Sequence, residues 1–251
     1  MTDQVQKARD FAALHQGDTP LVLWNIWDAG SAKAVADAGA KAVATGSWSV
    51  AAAQGFADGE ALPMSAALAT ATQIVAAVDV PVSVDFEGGY AVQREEIAAH
   101  ARLLMSTGAV GLNLEDRVVG GKGLHDTALQ AGKIAAIRAE ADAQELPFFI
   151  NARTDVFFSG SKAPVSELVS AVLERAAAYA QAGADGLFVP GLTDLDVIAQ
   201  ICAGQPLPVN VMRMGDALSV EALAQAGVKR ISHGPGPYMA AMKALTQAAV
   251  V

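Results

Sequence analysis

Short apolar segments alternate along the chain with longer segments in which apolar and polar residues recur at helical spacing. The apolar segments are predicted to be strands and span residues 21–25, 42–45, 81–85, 110–114, 148–152, 185–189, 208–211 and 229–232. Helices are predicted near 31–39, 64–78, 93–107, 128–144, 165–182, 194–203, 219–226 and 237–249, with an extra helix over 3–16 in front. Apolar strands separated by helices are typical of a parallel sheet that is covered by helices.

The number of these strand–helix units favours a closed barrel within the α/β class. Eight units in a chain of 251 residues match a (β/α)8 barrel, which closes with eight strands and ~250 residues. A doubly wound open sheet is the alternative, and it predicts a G-x-G-x-x-G turn after an early strand. No such turn opens a helix here. The sequence therefore predicts one domain over residues 1–251, a (β/α)8 TIM barrel with an extra N-terminal helix.

Composition and charge narrow the class of protein further. Hydrophobic residues make up 53% and charged residues 17% of the chain, which excludes a disordered protein. The net charge of −9 disfavours nucleic acid and anionic membranes as partners. No uncharged apolar run reaches the ~20 residues that span a bilayer, and no secretory signal pattern opens the sequence. We therefore expect a soluble, cytoplasmic protein.

Polar residues lie at or just after the ends of seven of the eight predicted strands, where barrel enzymes carry their functional groups. They are Asn25, Asp28, Thr45, Ser47, Asp85, Glu87, Asn113, Glu115, Asp116, Asn151, Arg153, Asp155, Asn210 and His233. The carboxyl ends of parallel strands meet at one end of a barrel, so these side chains are predicted to converge on one mouth.

The carboxylates in this set indicate a metal site. Asp85 and Glu87 share one face of an extended segment, because strand side chains repeat every two residues. Asn113 and Glu115 repeat that spacing on the next strand. Carboxylate and amide oxygens without a cysteine suit Mg²⁺, or Mn²⁺ as a substitute. In the alternative interpretation, these carboxylates cap the following helices or pair with an arginine.

Three further features are candidates for substrate contact. Arg153 has the planar fork that binds a carboxylate or phosphoryl group, although a salt bridge to Glu115 or Asp155 is the alternative. Residues 45–49 (Thr-Gly-Ser-Trp-Ser) offer successive N–H and hydroxyl groups at the start of a short helix, which is typical of an anion cradle. His233 is a candidate proton donor, and residues 120–125 are a candidate mobile lid.

Taken in order, these motifs resemble the isocitrate lyase / phosphoenolpyruvate mutase superfamily over about residues 20–240. They are N-I-W-D-A at 25–29, T-G-S at 45–47, D-G at 58–59, D-F-E-G-G-Y at 85–90, N-L-E-D at 113–116 and N-A-R-T-D at 151–155. The resemblance implies a (β/α)8 barrel that binds Mg²⁺ and small 2-oxo or phosphonate acids. It also implies a homo-oligomer, a tetramer or dimer, because members usually form tetramers that exchange the last helix.

The resemblance assigns roles to particular residues. It implies that Asp85 ligates Mg²⁺ directly, while Asp58, Glu87 and Glu115 hold its water molecules. Glu87 is a departure, since the family more often has aspartate there. For the substrate, it implies the amides of Ser47 and Trp48 at the carboxylate, Arg153 at the reacting end, and Asn113 and Asn210 along the pocket.

The loop after the fourth strand distinguishes branches of the family. Isocitrate and methylisocitrate lyases carry K-[KR]-C-G-H there, with the cysteine as acid/base, whereas residues 117–125 read R-V-V-G-G-K-G-L-H. Mutases and phosphonopyruvate hydrolases have an asparagine in this loop, and none occurs here. The sequence therefore resembles the short cysteine-free members, some of which resemble oxaloacetate decarboxylases.

The leading hypothesis is a Mg²⁺-dependent enzyme that acts on a small 2-oxo or 2-hydroxy dicarboxylic acid such as oxaloacetate. It would cleave a C–C bond, by decarboxylation or as a lyase, through a metal-stabilised enolpyruvate that water or His233 protonates. The alternative is phosphonopyruvate hydrolase or mutase chemistry at a P–C bond, with Asp58 near the phosphoryl group. A non-catalytic barrel that binds a metabolite is the second alternative.

Overall fold

The computed structural model describes residues 2–215 and 218–250, and in them strands and helices alternate as the sequence predicts. The strands are β1 (Leu21–Leu23), β2 (Asn25–Ile26), β3 (Val43–Thr45), β4 (Val82–Asp85), β5 (Gly111–Glu115), β6 (Phe149–Arg153), β7 (Gly186–Phe188), β8 (Val209–Met212) and β9 (Arg230–Ser232). The helices are α1 (Thr2–Ala13), α2 (Ala29–Asp37), α3 (Ser47–Ala53), α4 (Met64–Ala77), α5 (Arg94–Ser106), α6 (Thr127–Ala143), α7 (Val165–Gln181), α8 (Leu195–Ala203), α9 (Val220–Gln225) and α10 (Gly236–Ala248).

The strands form one parallel sheet that returns to its starting point. Its order is β1-β9-β8-β7-β6-β5-β4-β3-β2. The predicted first strand is interrupted at Trp24, and its two parts have different neighbours: Leu21 pairs with Arg230 of β9, and Asn25 pairs with Ala44 of β3. This one stretch of chain therefore joins the two edges of the sheet, and the predicted (β/α)8 barrel is confirmed.

Helix α1, predicted as the extra helix in front, covers the end of the barrel at which the strands begin. Phe11 is fully buried and packs edge-on against Phe149, the first residue of β6. His15 stacks on the same ring at a centroid distance of 4.1 Å. Burial, and then the positive charge of Arg230, lower the pKa of His15 to about 3. The opposite end of the barrel, where the strands end, is not covered by α1, and the loops predicted to carry functional groups lie there.

Tight turns lead from several helices into the next strand. Gly108 after α5 and Gly183 after α7 have φ angles of 91° and 96°. Side chains are disfavoured in that region of φ, so glycine ends each helix and directs the chain back to the sheet. None of the helices in the described ranges has the length and apolar character needed to cross a membrane.

Candidate active site

A cavity of about 230 Å³ opens at the carboxyl ends of the strands. It is lined by Asn25, Gly46, Ser47, Trp48, Ser49, Asp58, Asp85, Asn113, Arg153, Phe158, Phe188, Pro190, Met212, Met214, Ser232, Gly234 and Pro235. Six residues to which the sequence analysis assigned a role in the site are in this lining: Ser47, Trp48, Asp58, Asp85, Asn113 and Arg153. Asn25, selected as a polar residue at a strand end, lines it too. We call the side with Ser47, Asp58, Asp85 and Asn113 the acidic half. The side with Phe158, Phe188, Pro190, Met212 and Met214 is the apolar half.

Asp85, the last residue of β4, lies at the centre of the acidic half. Its Oδ2 accepts hydrogen bonds from the backbone N–H of Ser47 at 3.0 Å and from the Ser47 hydroxyl at 2.8 Å. Its Oδ1 faces the side-chain amide of Asn113 at 3.4 Å. Asp58 lies on the other side of the Ser47 hydroxyl, 3.5 Å from it. Partial burial, and then the charge of Asp85, raise the pKa of Asp58.

The Ser47 amide, which the sequence assigned to the substrate carboxylate, therefore already donates to Asp85. The amide of Trp48 is in the first turn of α3, where N–H groups have no acceptor within the helix.

Glu87 lies behind the acidic half and outside the cavity lining. Its Oε2 accepts from the backbone N–H groups of Gly59 at 2.9 Å and Glu60 at 2.7 Å, so it holds the loop that carries Asp58. The φ angle of Glu87 is 50°, which turns the chain sharply after β4. Burial is the main cause that raises the pKa of Glu87 to about 7, whereas the hydrogen bond from the backbone N–H of Glu60 lowers it.

Arg153, the last residue of β6, lies at the border between the two halves. Its Nε and Nη2 donate to the carboxylate of Asp155 at 2.6 and 2.9 Å, and its Nη1 lies 2.9 Å from Glu115. Burial alone would lower the pKa of Arg153, but these carboxylates reverse the effect and raise it. The guanidinium also lies 5.7 Å from the ring centres of Phe158 and Phe188. Both salt bridges considered from the sequence are present, and Arg153 still faces the cavity.

Glu115 is buried beside this guanidinium and outside the cavity lining. Burial is the main cause that raises its pKa to about 8, although Arg153 pulls in the opposite direction. The carboxylates of Asp155 and Asp85 add to the increase. Negative charge is therefore crowded around Asp85.

Buried amides form the floor below the cavity. The side-chain amide of Asn151 donates to Asn113 at 2.9 Å and to Asn210 at 3.1 Å. Gly186 on β7 leaves room for this residue, since a Cβ there would lie 2.7 Å from Asn151 Oδ1. Asn210 is fully buried and donates to the Ser232 hydroxyl at 3.2 Å. The structure thus places Asn210 in the floor and not in the cavity lining.

Arg230, which the sequence analysis did not select, belongs to the same floor. It is 1% exposed, and its Nη2 donates to Asn113 Oδ1 at 3.2 Å. Its Nε and Nη1 have no hydrogen-bond partner among the described residues. Burial lowers its pKa to about 9. The sequence feature that could have identified Arg230 was its position as a charged residue inside the predicted apolar strand at 229–232.

Three other selected features lie outside the cavity lining. The ring of His233 is buried and stacks on Trp24 at 4.2 Å. Asp116 faces α7, where it accepts from Arg175 at 3.0 Å and from Tyr179 at 2.9 Å. Residues 117–124 form a small hairpin that is closed by a bridge between Arg117 and Leu124.

The apolar half was also not predicted. Pro190 and Met212 directly follow the predicted strands at 185–189 and 208–211, and Phe158 and Met214 lie further along the loops. Large apolar residues near strand ends were therefore the signal. Phe158 and Met214 are each 49% exposed, whereas Phe188 is buried.

The acidic half fits a hydrated divalent cation. Within residues 2–215 and 218–250, no three His, Cys, Asp or Glu side chains are grouped as an all-protein metal cage. Mg²⁺ does not need one, because it keeps several waters and binds through one or two carboxylates and the substrate. Asp85 and Asp58 provide two carboxylates on the cavity, and Glu87 and Glu115 stand behind them. A cation there would offset the crowding of negative charge.

The fold and this mouth define a (β/α)8-barrel protein with an acidic site at the carboxyl ends of its strands. Residues 11–251 match the family model of phosphoenolpyruvate phosphomutase. The chain belongs to this family of enzymes, and the resemblance found in the sequence is confirmed.

Individual relatives agree with this assignment. The chain is 36% identical over 240 residues to an uncharacterized protein of Mycobacterium tuberculosis, covering 95% of this chain and 87% of that one. It is 33% identical over 247 residues to an oxaloacetate decarboxylase of Pseudomonas savastanoi pv. phaseolicola, covering 94% and 81%. A crystal structure of a candidate phosphonomutase from Burkholderia cenocepacia is 48% identical, with a TM-score of 0.94 and 97% of each chain covered.

Proposed function

We propose that the protein is a Mg²⁺-dependent carbon–carbon lyase that decarboxylates a small 2-oxo dicarboxylic acid such as oxaloacetate. The observation that carries this proposal is the meeting of Asp85, Asp58 and Arg153 at one cavity. The similarity to an oxaloacetate decarboxylase over 94% of the chain supports it.

In the proposed reaction, the bond between C3 and the C4 carboxylate breaks, CO₂ leaves, and the electron pair remains on C3 as the enolate of pyruvate. A bound Mg²⁺ would supply Lewis-acid stabilisation of that developing charge. Asp85 would hold the cation, and Ser47 and Asn113 fix the orientation of its carboxylate. Arg153 adds a permanent positive charge at the wall of the cavity, where it stabilises the enolate as it forms.

Protonation of C3 then gives pyruvate. The ring of His233 packs against Trp24 and does not line the cavity, so water in the cavity is the favoured proton source. A cysteine acid is not required, because departing CO₂ develops no alkoxide charge.

A second candidate is cleavage or transfer at a P–C bond. The 48% identity to the candidate phosphonomutase favours it, and Asp58, which lines the cavity, would then lie near the phosphoryl group. This activity would use the same cation and the same arginine.

The test is pyruvate release from oxaloacetate by the purified protein with Mg²⁺ and then with excess EDTA, after subtraction of the spontaneous and metal-catalysed background. We expect saturable, Mg²⁺-dependent pyruvate formation. Phosphate release from phosphonopyruvate, measured in parallel, tests the second candidate. Absence of turnover on oxaloacetate would contradict the decarboxylase proposal.

The variant Asp85→Asn keeps the size of the side chain but removes the charge that would bind the cation. We expect it to lower kcat/KM by about 10³-fold, since metal stabilisation is worth several kcal/mol in the transition state. Asp37→Asn is the matched control, because Asp37 is an exposed residue at the end of α2 that pairs with the exposed Lys33. It should retain full activity, and both variants should keep the thermal unfolding midpoint of the parent.

A further inference from the structure

We propose that the substrate carries an apolar substituent on the carbon next to the bond that breaks, and that the apolar half of the mouth binds this substituent. This inference rests on the proposed function, because it names the substrate class of the same site. The preferred substrates would be 3-alkyl-substituted 2-oxo dicarboxylic acids.

The first observation is where the large apolar side chains stand. Phe158 and Met214 are each 49% exposed at the rim, with Phe188, Pro190 and Met212 beneath and between them. Exposure of apolar surface to water is unfavourable. Apolar side chains gathered around one concave site, with a few polar groups opposite, are typical of a ligand-binding pocket. They offer a ligand an apolar contact surface and no hydrogen bond.

The second observation is the distribution of cations. Among the described residues that line the cavity, Arg153 is the one cation, and it already donates two hydrogen bonds to Asp155 and pairs with Glu115. Arg117 and Lys122 line a separate cavity, which Asp155 and Phe158 also line. A second fixed charge on the substrate would therefore find no partner in the apolar half.

The third observation is that Arg153 connects the two halves. Its guanidinium is in contact with the rings of Phe158 and Phe188 on one side and with carboxylates on the other. The reacting centre, facing Arg153 and Asp85, would thus lie directly beside the aromatic rings. A group attached to C3 would extend onto those rings.

The experiment compares turnover of oxaloacetate with that of its 3-methyl, 3-ethyl and 3-propyl derivatives, each corrected for its own background decarboxylation. One buried CH₂ improves binding about fourfold, so we expect kcat/KM to rise with chain length and to exceed the oxaloacetate value at least tenfold for the propyl compound. A kcat/KM that is highest for oxaloacetate and falls with chain length would overturn the inference, while the proposed function would stand.

Two matched variants test whether the apolar half is responsible. Met214→Gln keeps the size of the side chain and makes it polar, and we expect it to reduce the ratio of propyl to unsubstituted turnover at least threefold. Met239→Gln is the control, because Met239 is 53% exposed on α10 and does not line the cavity. An equal ratio in the parent and in Met214→Gln would contradict the assignment of the subsite.

Binding of the reaction products separates the two proposals. Calorimetry with Mg²⁺ would measure the affinity of pyruvate, 2-oxobutyrate, 2-oxopentanoate and 2-oxohexanoate, which are the products of the four substrates. Affinity that rises with chain length in the absence of any turnover would support the apolar subsite and overturn decarboxylation. Absence of both turnover and binding would overturn both.

Discussion

In the acidic half of the mouth, polar side chains at strand ends contact several partners, whereas in the apolar half two of the large side chains stand half exposed on loops. Asp85 is fixed by Ser47 and Asn113. The side chains of Phe158 and Met214 are apolar, and each is 49% exposed. Under the proposed function, we infer a division of tasks from this difference: the acidic half would hold the reacting centre, and the apolar half would contact the group attached to it.

Strand register explains why the side chains of the acidic half are hydrogen-bonded to one another. Asp85 pairs with Asn113 across β4 and β5, and Asn113 pairs with Asn151 across β5 and β6. Residues paired in this way occupy one level of the barrel, so their side chains meet and form hydrogen bonds. Phe158 and Met214 lie beyond the ends of β6 and β8, where no ladder fixes them.

After Asp85→Asn, the largest effect is expected from Arg153→Lys, because this residue connects the two halves. Lysine keeps the charge but loses the fork that holds Asp155 and the flat face that contacts the rings. We expect kcat/KM to fall about 100-fold or more, the magnitude typical for loss of one group that stabilises developing charge. Steady-state kinetics on oxaloacetate and its 3-methyl, 3-ethyl and 3-propyl derivatives would measure this loss of kcat/KM. We also expect the variant to show a weaker preference for long substituents than the parent.

Arg102→Lys is the matched control for that variant. Arg102 also donates two hydrogen bonds to one carboxylate, that of Glu140, but it is exposed on α5. Arg102→Lys should keep the kcat/KM of the parent. Equal activity of Arg153→Lys and the parent would remove the guanidinium from the mechanism.

A smaller effect, confined to the acidic half, is expected from Glu87→Gln. The variant removes the charge that accepts from Gly59 and Glu60, so the loop carrying Asp58 is held less firmly. Loss of a group that orients metal ligands typically costs 10–100-fold in metal affinity. We expect the half-saturating Mg²⁺ concentration to rise by about that factor.

The preference for long substituents should not change in Glu87→Gln, since the apolar half is untouched. Glu174→Gln, on an exposed position of α7, serves as the control and should leave the Mg²⁺ requirement unaltered. A changed chain-length preference would show that the two halves are not independent.

The smallest effect on turnover is expected from Arg230→Met, below the acidic half. The variant removes a buried guanidinium that has two N–H-bearing nitrogens without a described partner, and replacing a buried charge by an apolar residue is often neutral or stabilising. It also removes one of the two donors to Asn113 Oδ1, the other being the side-chain amide of Asn151, and these donors orient Asn113 towards Asp85. We expect about a tenfold loss of kcat/KM with an unchanged or higher unfolding midpoint.

Kinetics and thermal unfolding of Arg230→Met would be measured on the same preparations. A lower unfolding midpoint with unchanged kcat/KM would assign Arg230 to stability alone and contradict its positioning role.

Much of the fold could be predicted from the sequence because the signal is local. A strand such as 110–114 is short and apolar, and the following helix over 128–144 shows the spacing of an amphipathic helix, so eight units could be counted. The convergence of Asp85, Asn113 and Arg153 followed from the barrel itself, since parallel strands end at one mouth.

The partners of these side chains could not be predicted in the same way. Glu87 contacts the loop before α4, 28 residues earlier in the chain, and Arg230 reaches Asn113 across 117 residues. Asn210 and His233 follow strands like the other selected residues, yet one lies in the floor and the other stacks on Trp24. Position at a strand end does not specify the direction of a side chain relative to its neighbours.

The sequence by itself determined the alternation of strands and helices, the family, and the set of polar groups brought to one end of the barrel. These depend on periodicity and on motifs of a few adjacent residues. The tertiary structure alone decided which carboxylates face the cavity, that a cation is buried beneath them, and that an apolar half stands opposite. Those features depend on burial and charge among residues far apart in the chain, which become neighbours only when the barrel closes.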